Sequence, residues 1–232
     1  MDAQHKSAFL KQQGFLQDLP DDEIEQLSKN ARVQAFEPDE TIFLKGEKTT
    51  GMMAVVSGSV HIGSVSEDGK QLILNTIRAG EIFGEIGVLD EGSRTADAVA
   101  VEVTELLTID RQSFLGVLRR NPDFSINLIS VLCDRIRRTS EQAEDLALLD
   151  LGKRLAKKLV SLGANARKDS DAGGEIVIRM TQKDLGSMMG TSRESINKQL
   201  RVWEDEGLIS LRRNEIVIHD EQRIQDLYGP YL

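Results

Sequence analysis

The sequence predicts an α+β protein: an N-terminal antiparallel β-roll (a jelly-roll barrel), a long helix, and a C-terminal winged helix-turn-helix. Single glycines punctuate short alternating runs at intervals of 11 or 12 residues, at Gly46, Gly58, Gly69 and Gly80. A helical pattern then runs from 121 to about 149, and two short helices with a hairpin pattern follow. We expect these parts at residues 1–120, 121–150 and 151–232.

Composition limits the class of protein. The 232 residues are 40% hydrophobic, which is enough for two small domains with their own cores. No basic segment precedes an apolar stretch, and no apolar run reaches the length of a membrane span, so we expect a cytoplasmic protein. Cys133 is the single cysteine, and it is accompanied by three histidines, so neither an intrachain disulfide nor a metal site is expected.

Charge is distributed unevenly along the chain. The net charge is −9, but residues 1–110 carry 9 basic and 20 acidic residues, which leaves residues 111–232 with a net charge of +2. Only the second half could tolerate a polyanion. Any phosphate binding there would depend on a locally basic face.

The first 120 residues change from a helical to a strand pattern. Residues 1–35 are predicted to be mostly helical, with a helix opening at Leu19-Pro20-Asp21-Asp22 and running through Leu27, capped by Asp21 or Asp22. From about Phe36, runs such as MMAVV and VHIGSV predict short strands. A β-sandwich without a pocket is the alternative interpretation.

The long helix begins at Asn121-Pro122-Asp123, because asparagine caps helices and proline suits the first turn. A heptad pattern predicts that it packs in parallel against a second copy. The positions of this seam are Leu128, Leu132, Arg135, Thr139, Gln142, Leu146 and Leu149. The middle of the seam is polar. Either a ligand or hydrogen bonds across the two helices would satisfy it.

The order of helix-capping and turn residues in the C-terminal region predicts a winged helix. Asp150 can cap a helix over residues 151–163, followed by a surface loop over 163–175 and the strand EIVIR. Two short helices follow, capped by Thr181 and Ser192, and Gly207 closes the second. The run LISLRRNEIVIH predicts a hairpin that turns near Asn214.

The segment GEIFGEIGVLDEGSRTA, residues 80–96, has the composition of a sugar-phosphate site. Glycines allow backbone amides to approach an anion, and Arg94 offers a bidentate partner for phosphate oxygens. Thr95 adds a hydroxyl donor, and Glu85 adds an acceptor for a sugar hydroxyl. A glycine-rich turn with a surface Arg–Glu pair is the alternative.

These residues match a known motif. From about residue 20 to 219 the chain resembles the catabolite activator (cyclic AMP receptor) family of bacterial regulators. The phosphate-binding cassette of that family is G-E-[IL] followed by R-[ST]-A. It stands here as Gly84-Glu85-Ile86 and Arg94-Thr95-Ala96. The resemblance implies that Glu85 binds the ribose 2′-hydroxyl of a cyclic nucleotide, and that Arg94 and Thr95 bind its phosphate.

The resemblance extends into the long helix. R-I-R-R-T-S-E-Q at 135–142 is similar to the dimer helix of the cyclic-AMP-responsive members. It implies that Thr139 contacts the base, that Ser140 reaches the ligand of the partner subunit, and that Arg135 is linked to the ligand. Thr139 and Ser140 favour cyclic AMP as the effector, while Thr95 resembles cyclic-GMP sites and keeps cyclic GMP as an alternative.

The segment 181–200 fits a helix-turn-helix. Gly186 permits close helix crossing, Gly190 makes the turn, and Leu185 and Ile196 lock the two helices together. Any helical hairpin is the alternative interpretation. The N-terminus of a recognition helix enters the major groove, where arginine pairs with guanine and glutamate with cytosine.

Particular side chains of this region are expected to bind DNA. The resemblance implies that Arg193, Glu194 and Lys198 read bases. Ser192 can touch a phosphate as well as capping the helix. The remaining candidate DNA contacts are Thr181, Ser195 and Arg213, and solvated charge is an equally good account of Arg213.

The favoured function is a homodimeric, cyclic-nucleotide-dependent transcription regulator that binds palindromic double-stranded DNA. RNA polymerase is the further partner implied. A regulator of the same family that is constitutively active, or that answers another small molecule, is the first alternative. A cyclic-nucleotide module of an enzyme or channel is the second. An enzyme is disfavoured, because no nucleophile–base pair, metal site or triphosphate-binding loop is present in the sequence.

Overall fold

The computed structural model describes residues 3–12, 16, 19–66, 71–168 and 175–229. The described helices are α1 (Ala3–Gln12), α2 (Asp21–Asn30), α3 (Ile86–Leu89), α4 (Arg111–Arg120), α5 (Pro122–Leu148), α6 (Leu151–Lys168), α7 (Gln182–Met189), α8 (Arg193–Asp205) and α9 (Glu221–Asp226). The described strands are β1 (Arg32–Phe36), β2 (Thr41–Phe43), β3 (Gly51–Ser57), β4 (Ser59–Val65), β5 (Gln71–Arg78), β6 (Ile82–Phe83), β7 (Asp97–Ala100), β8 (Thr104–Asp110), β9 (Ile176–Arg179), β10 (Ile209–Arg212) and β11 (Glu215–Ile218).

The chain divides into two compact units, and the division falls inside α5, between Ile136 and Arg137. None of the helices among the described residues has both the length and the apolar character needed to cross a membrane.

Two four-stranded sheets form the roll of the first unit, in the orders β1-β8-β3-β6 and β2-β7-β4-β5. Both sheets contribute to one core, whose buried members are Phe43, Met53, Val55, Val60, Ile77, Phe83, Ala98 and Leu106. Gly46, Gly58 and Gly80 have φ of 89°, 81° and 90°, so the turns fall where the glycine spacing predicts them. Gly69 lies outside the described residues. The predicted β-roll is confirmed.

The start of the roll differs from the prediction in two details. The first strand begins at Arg32 rather than near Phe36, because Val33 and its neighbours pair with the interior strand β8 despite a weak alternating pattern. The helix cap is also not an aspartate. Pro20 occupies the N-cap of α2, and Asp21 lies inside the first turn, where its charge favours the positive end of the helix dipole.

The first half of α5 packs against the roll, and this corrects the predicted seam. Phe124 and Leu128 are 3% and 2% exposed in the core of the first unit, and Leu132 packs against that core. Arg135 also turns toward the roll, where it bonds to Glu85. The first positions of the predicted seam therefore face the roll of their own chain, not a second copy.

A second heptad stripe of α5 is largely exposed among the residues that the structure describes. Ile126, Ile129 and Ile136 are 59%, 57% and 65% exposed, with half-buried Cys133 between them. The steps of 3, 4 and 3 residues are as regular as those of the predicted seam. Sequence spacing alone does not distinguish the two stripes, because both carry apolar residues at heptad spacing in the first half of α5, and only packing against the roll covers one of them.

The second unit has its own core around a three-stranded antiparallel sheet, in the order β10-β11-β9. Asp150 caps α6 by accepting from the Lys153 amide at 2.9 Å, as predicted. Asn214 makes the hairpin turn with a φ of 58°. The helix α6 runs to Lys168, however, so the predicted loop from residue 163 begins too early. Gly163 is buried in the helix, where a Cβ would lie 3.0 Å from Ile176 Cγ2. Glycine often marks the end of a helix, but Gly163 is explained by the close packing of α6 on the sheet.

An ion pair joins α2 to α4. The Nε and Nη2 atoms of Arg120 donate to the two carboxylate oxygens of Glu23 at 2.6 and 2.7 Å. Glu23 is 8% exposed. Hydrogen bonding to Arg120 lowers the pKa of Glu23, against the raising effect of burial, and the same bonds raise the pKa of Arg120.

We predict that Arg120→Met lowers the free energy of unfolding near pH 7, because it leaves the buried Glu23 carboxylate without its partner. The pKa of Glu23 is lowered by folding, so the stabilisation is present above the unfolded pKa of about 4.3 and is lost as pH falls through the folded pKa. The difference from wild type should therefore shrink in acid, as measured by urea unfolding at several pH values. Arg119→Met, at an exposed neighbour, is the matched control. If the difference in free energy of unfolding between Arg120→Met and wild type stayed constant with pH, the stabilisation would not come from the ion pair with Glu23.

Candidate functional site

Arg94, near the end of the glycine-rich segment 80–96, is held in place by hydrogen bonds. Its side chain donates from Nη1 to the Gly84 carbonyl at 2.8 Å and from Nη2 to the Gly51 carbonyl at 2.9 Å. The guanidinium carbon lies 4.1 Å from the ring centre of Phe43, within the range of a cation–π contact. Arg94 is 5% exposed. This arginine is therefore part of the packed roll and not a loose surface side chain.

The site keeps a positive charge in a buried place. Burial lowers the pKa of Arg94, and the charges of Glu47 and Glu85 oppose that effect. Arginine remains protonated in proteins. The hydrogen bonds to Gly84 and Gly51 use two of its five N–H donors, and the others can still serve an anion.

Gly84 is required by the position of Arg94. Its φ of +75° lies in the region that favours glycine. A Cβ at this position would also lie 2.4 Å from Arg94 Nη1. A side chain at residue 84 would push Arg94 out of its place.

Glu85 is a buried carboxylate with one oxygen occupied. It lies just before α3 and is 1% exposed. Its Oε1 accepts from Arg135 Nη1 at 2.6 Å, and Arg135 Nη2 donates to the Ile82 carbonyl. Its Oε2 is buried and has no hydrogen-bond partner among the described residues. A buried carboxylate oxygen without a donor is costly, so this atom suits a ligand hydroxyl.

The structure thus brings together four of the residues predicted to bind a nucleotide, namely Gly84, Glu85, Arg94 and Arg135. Ile86 is 44% exposed and Thr95 is exposed beside this cluster in sequence. Thr139 and Ser140 lie further along α5, in the second unit, and both are exposed there.

Phe43 and Gly51 were not predicted as parts of this site. They precede the glycine-rich segment by about 30 to 40 residues and carry no motif. The folding of the two sheets brings the Phe43 ring and the Gly51 carbonyl into contact with Arg94. No sequence signal would have identified them without the topology.

The second unit contains a helix-turn-helix, formed by α7, the turn at Gly190 and α8. Gly190 adopts the left-handed conformation, with φ 62° and ψ 31°. A Cβ on Gly186 would lie 2.9 Å from the Thr191 carbonyl oxygen, so a glycine is needed where the turn crosses α7. Leu185 and Ile196 are fully buried between the helices. All four predicted roles agree with the packing.

The predicted caps are also present. The Thr181 hydroxyl accepts from the Asp184 amide at 3.1 Å and donates to the Asp184 carboxylate at 2.6 Å. The Ser192 hydroxyl accepts from the Ser195 amide at 3.1 Å. Both hydroxyls are thus already engaged in holding the helix ends, so their first role is to orient α7 and α8.

The side chains expected to read bases are exposed to solvent. Arg193, Glu194 and Lys198 are exposed at the N-terminal end and the next turn of α8. Arg213 is exposed at the tip of the β10–β11 hairpin. A helix that presents charged side chains at its N-terminus beside a hairpin has the shape that enters a DNA groove.

Two family models match the chain, one in its N-terminal part and one in its C-terminal part. Residues 33–121 match the family model of the cyclic nucleotide-binding domain. Residues 153–227 match the Crp-like helix-turn-helix domain.

The chain is 32% identical over 180 residues to the cAMP-activated global transcriptional regulator CRP of Haemophilus influenzae, which covers 77% of this chain and 80% of that protein. It belongs to the catabolite activator (cyclic AMP receptor) family of bacterial transcription regulators. A CRP-like cAMP-activated global transcriptional regulator of Mycobacterium tuberculosis is 28% identical over 215 residues, 93% of this chain and 96% of that protein.

Solved structures of the family share the fold. The c-di-GMP-responsive global regulator CLP of Xanthomonas campestris superposes with a TM-score of 0.76 at 22% identity, over 87% of this chain and all of that one. The two family models and the Haemophilus influenzae relative together show that this chain is a transcription regulator with a cyclic-nucleotide-binding domain and a helix-turn-helix domain. The effectors named for these proteins differ, since the Haemophilus influenzae and Mycobacterium tuberculosis regulators are described as cAMP-activated and CLP as c-di-GMP-responsive.

Proposed function

We propose that this regulator binds cyclic AMP in the roll and, in response, binds palindromic DNA as a homodimer. The observation that carries the ligand assignment is the buried, unpartnered Oε2 of Glu85 beside the buried cation of Arg94. A ribose 2′-hydroxyl can donate to that oxygen. A cyclic phosphate can accept from the remaining Arg94 donors and from backbone amides of the glycine-rich segment.

Cyclic AMP is favoured over cyclic GMP. The relatives from Haemophilus influenzae and Mycobacterium tuberculosis are both described as cAMP-activated. The family resemblance implies that Thr139 and Ser140 contact the base, and their hydroxyls suit adenine. Thr95 is compatible with the 2-amino group of a guanine, so cyclic GMP is the alternative to test in parallel.

The proposed dimer forms through the exposed stripe of Ile126, Ile129, Cys133 and Ile136 on α5. Three isoleucines more than half exposed at heptad spacing are unusual on a surface that stays in water. A second copy in parallel presents the same stripe, so the surface is self-complementary about a two-fold axis. Ser140 continues the stripe by one more step of four residues, which agrees with its implied reach toward the partner's ligand.

A two-fold dimer fixes the form of the DNA site. It presents two copies of α8, which suit half-sites separated by about one helical turn, ~34 Å. Each half-site would be read by Arg193, Glu194 and Lys198, with phosphate contacts from Ser192, Ser195, Thr181 and Arg213. Ligand binding would favour the arrangement that matches this spacing, because a ligand shifts an equilibrium by its differential affinity for the two states. We place this regulator in the cytoplasm, where it would act on RNA polymerase.

We predict that Glu85 recognises the ribose hydroxyl. Wild type should bind cyclic AMP about tenfold to a hundredfold more tightly than 2′-deoxy cyclic AMP, as expected for a hydrogen bond to a carboxylate. Glu85→Gln should lose most of this discrimination, because its neutral amide keeps Arg135 bonded to oxygen and turns an amide nitrogen toward the ligand. Calorimetric titration with the two nucleotides, and with cyclic GMP, measures the ratio.

The matched control is Glu81→Gln, an exposed glutamate of the same roll whose Oε2 accepts from the Arg78 amide. Its ratio should equal that of wild type. Because each ratio compares two ligands on one variant, partial unfolding would not imitate the effect. Equal affinity of wild type for both nucleotides would overturn the assignment of Glu85.

We predict that the dimer depends on the exposed isoleucines. Ile129→Glu combined with Ile136→Glu should give monomers in sedimentation experiments, because like charges would face each other across the two-fold axis. The control Leu148→Glu changes a side chain that is 73% exposed on α5 but lies off the stripe, and it should remain dimeric. A dimer that survives the double substitution would place the interface elsewhere.

A further inference from the structure

Asn197 lies on the flank of α8, close to the side chains proposed to read bases. At 100° per residue it is about 40° around the helix from Arg193 and about 60° from Glu194, and about 6 Å further along the axis than Arg193. The opposite face of α8 is closed, because Ile196, Leu200 and Trp203 are buried in the core of the second unit. Asn197 therefore stands at the border between the core and the exposed reading face.

The carboxamide of Asn197 is not used in a hydrogen bond among the described residues. It is half-buried and makes no hydrogen bond within the part of the chain that the structure describes. The polar neighbours on the helix are engaged elsewhere, since Arg201 pairs with Glu204 at 2.7 Å and Ser195 bonds to Ser192. Asparagine is also a weak helix former in a helix interior. Neither helix stability nor a local contact accounts for this residue.

We propose that Asn197 reads an adenine in each DNA half-site, beside the base pairs read by Arg193 and Glu194. The carboxamide offers one donor and one acceptor in the geometry that matches adenine N6 and N7 in the major groove. Arg193, Glu194 and Asn197 would then distinguish guanine, cytosine and adenine, respectively. This inference rests on the proposed DNA-binding role of α8.

The test is selection of binding sites from random DNA by the full-length protein with saturating cyclic AMP. Wild type should select an adenine at one position of each half-site. In Asn197→Ala, the ratio of affinities for adenine over the other bases at that position should fall by about fivefold to a hundredfold, as measured with competing oligonucleotides. The base preferences at the other positions of the half-site should stay unchanged. Alanine is the better helix former, so the substitution leaves α8 intact.

Gln199→Ala provides the matched control. Gln199 carries the same amide group on the same helix, but it faces α6, where a Cβ on Gly152 would lie 3.4 Å from its Oε1. The base preferences of this variant should equal those of wild type.

Arg193→Ala separates this inference from the proposed function. If Arg193→Ala relaxes one base pair and Asn197→Ala relaxes another, both hold. If Arg193→Ala relaxes its position while Asn197→Ala changes none, or weakens all sequences alike as a phosphate contact would, the inference about Asn197 is wrong. If neither variant alters any preference, α8 does not read the groove and the DNA-binding role itself fails.

Discussion

The ion pair between Glu85 and Arg135 links the candidate ligand site to the long helix α5. Glu85 is 1% exposed, and removing a carboxylate from water is costly unless it gains a charged or hydrogen-bonding partner. That partner comes from α5, 50 residues later in the chain, at 2.6 Å. The helix that leaves the roll is thus bonded to the residue that faces the proposed ligand. Any donor that binds Oε2 acts on the same carboxylate that holds α5.

This arrangement explains why α5 carries several kinds of residue. Its Phe124–Leu128 side belongs to the core of the roll, and its exposed isoleucine stripe is available to a second copy. The acidic first half of the chain offers little attraction to DNA, so affinity must come from the second unit. In the proposed function, a small ligand therefore controls a DNA-binding surface that it does not touch, through a helix that contacts the ligand site.

The sequence predicted the architecture well, because glycine turns, helix caps and strand alternation are local signals. Ser192, Asp150 and Asn214 are found in their predicted roles for that reason. Long-range packing was harder to predict. Two heptad stripes run along α5, and the spacing of Leu128 and Leu132 predicts a seam between subunits, whereas in the structure both side chains pack into the core of the first unit. The Phe43 ring under Arg94 and the Gly51 carbonyl depend on sheet topology, which no local pattern encodes.

In the proposed function, a cyclic nucleotide controls DNA binding. This control is tested most directly by measuring the affinity of the full-length protein for its selected palindromic DNA by fluorescence anisotropy, without ligand and with saturating cyclic AMP or cyclic GMP. We expect cyclic AMP to raise the affinity by about tenfold or more, within the range of coupling between two sites on one protein. The same affinity with no ligand and with either nucleotide would contradict it, and would indicate a constitutive regulator or one that answers another small molecule.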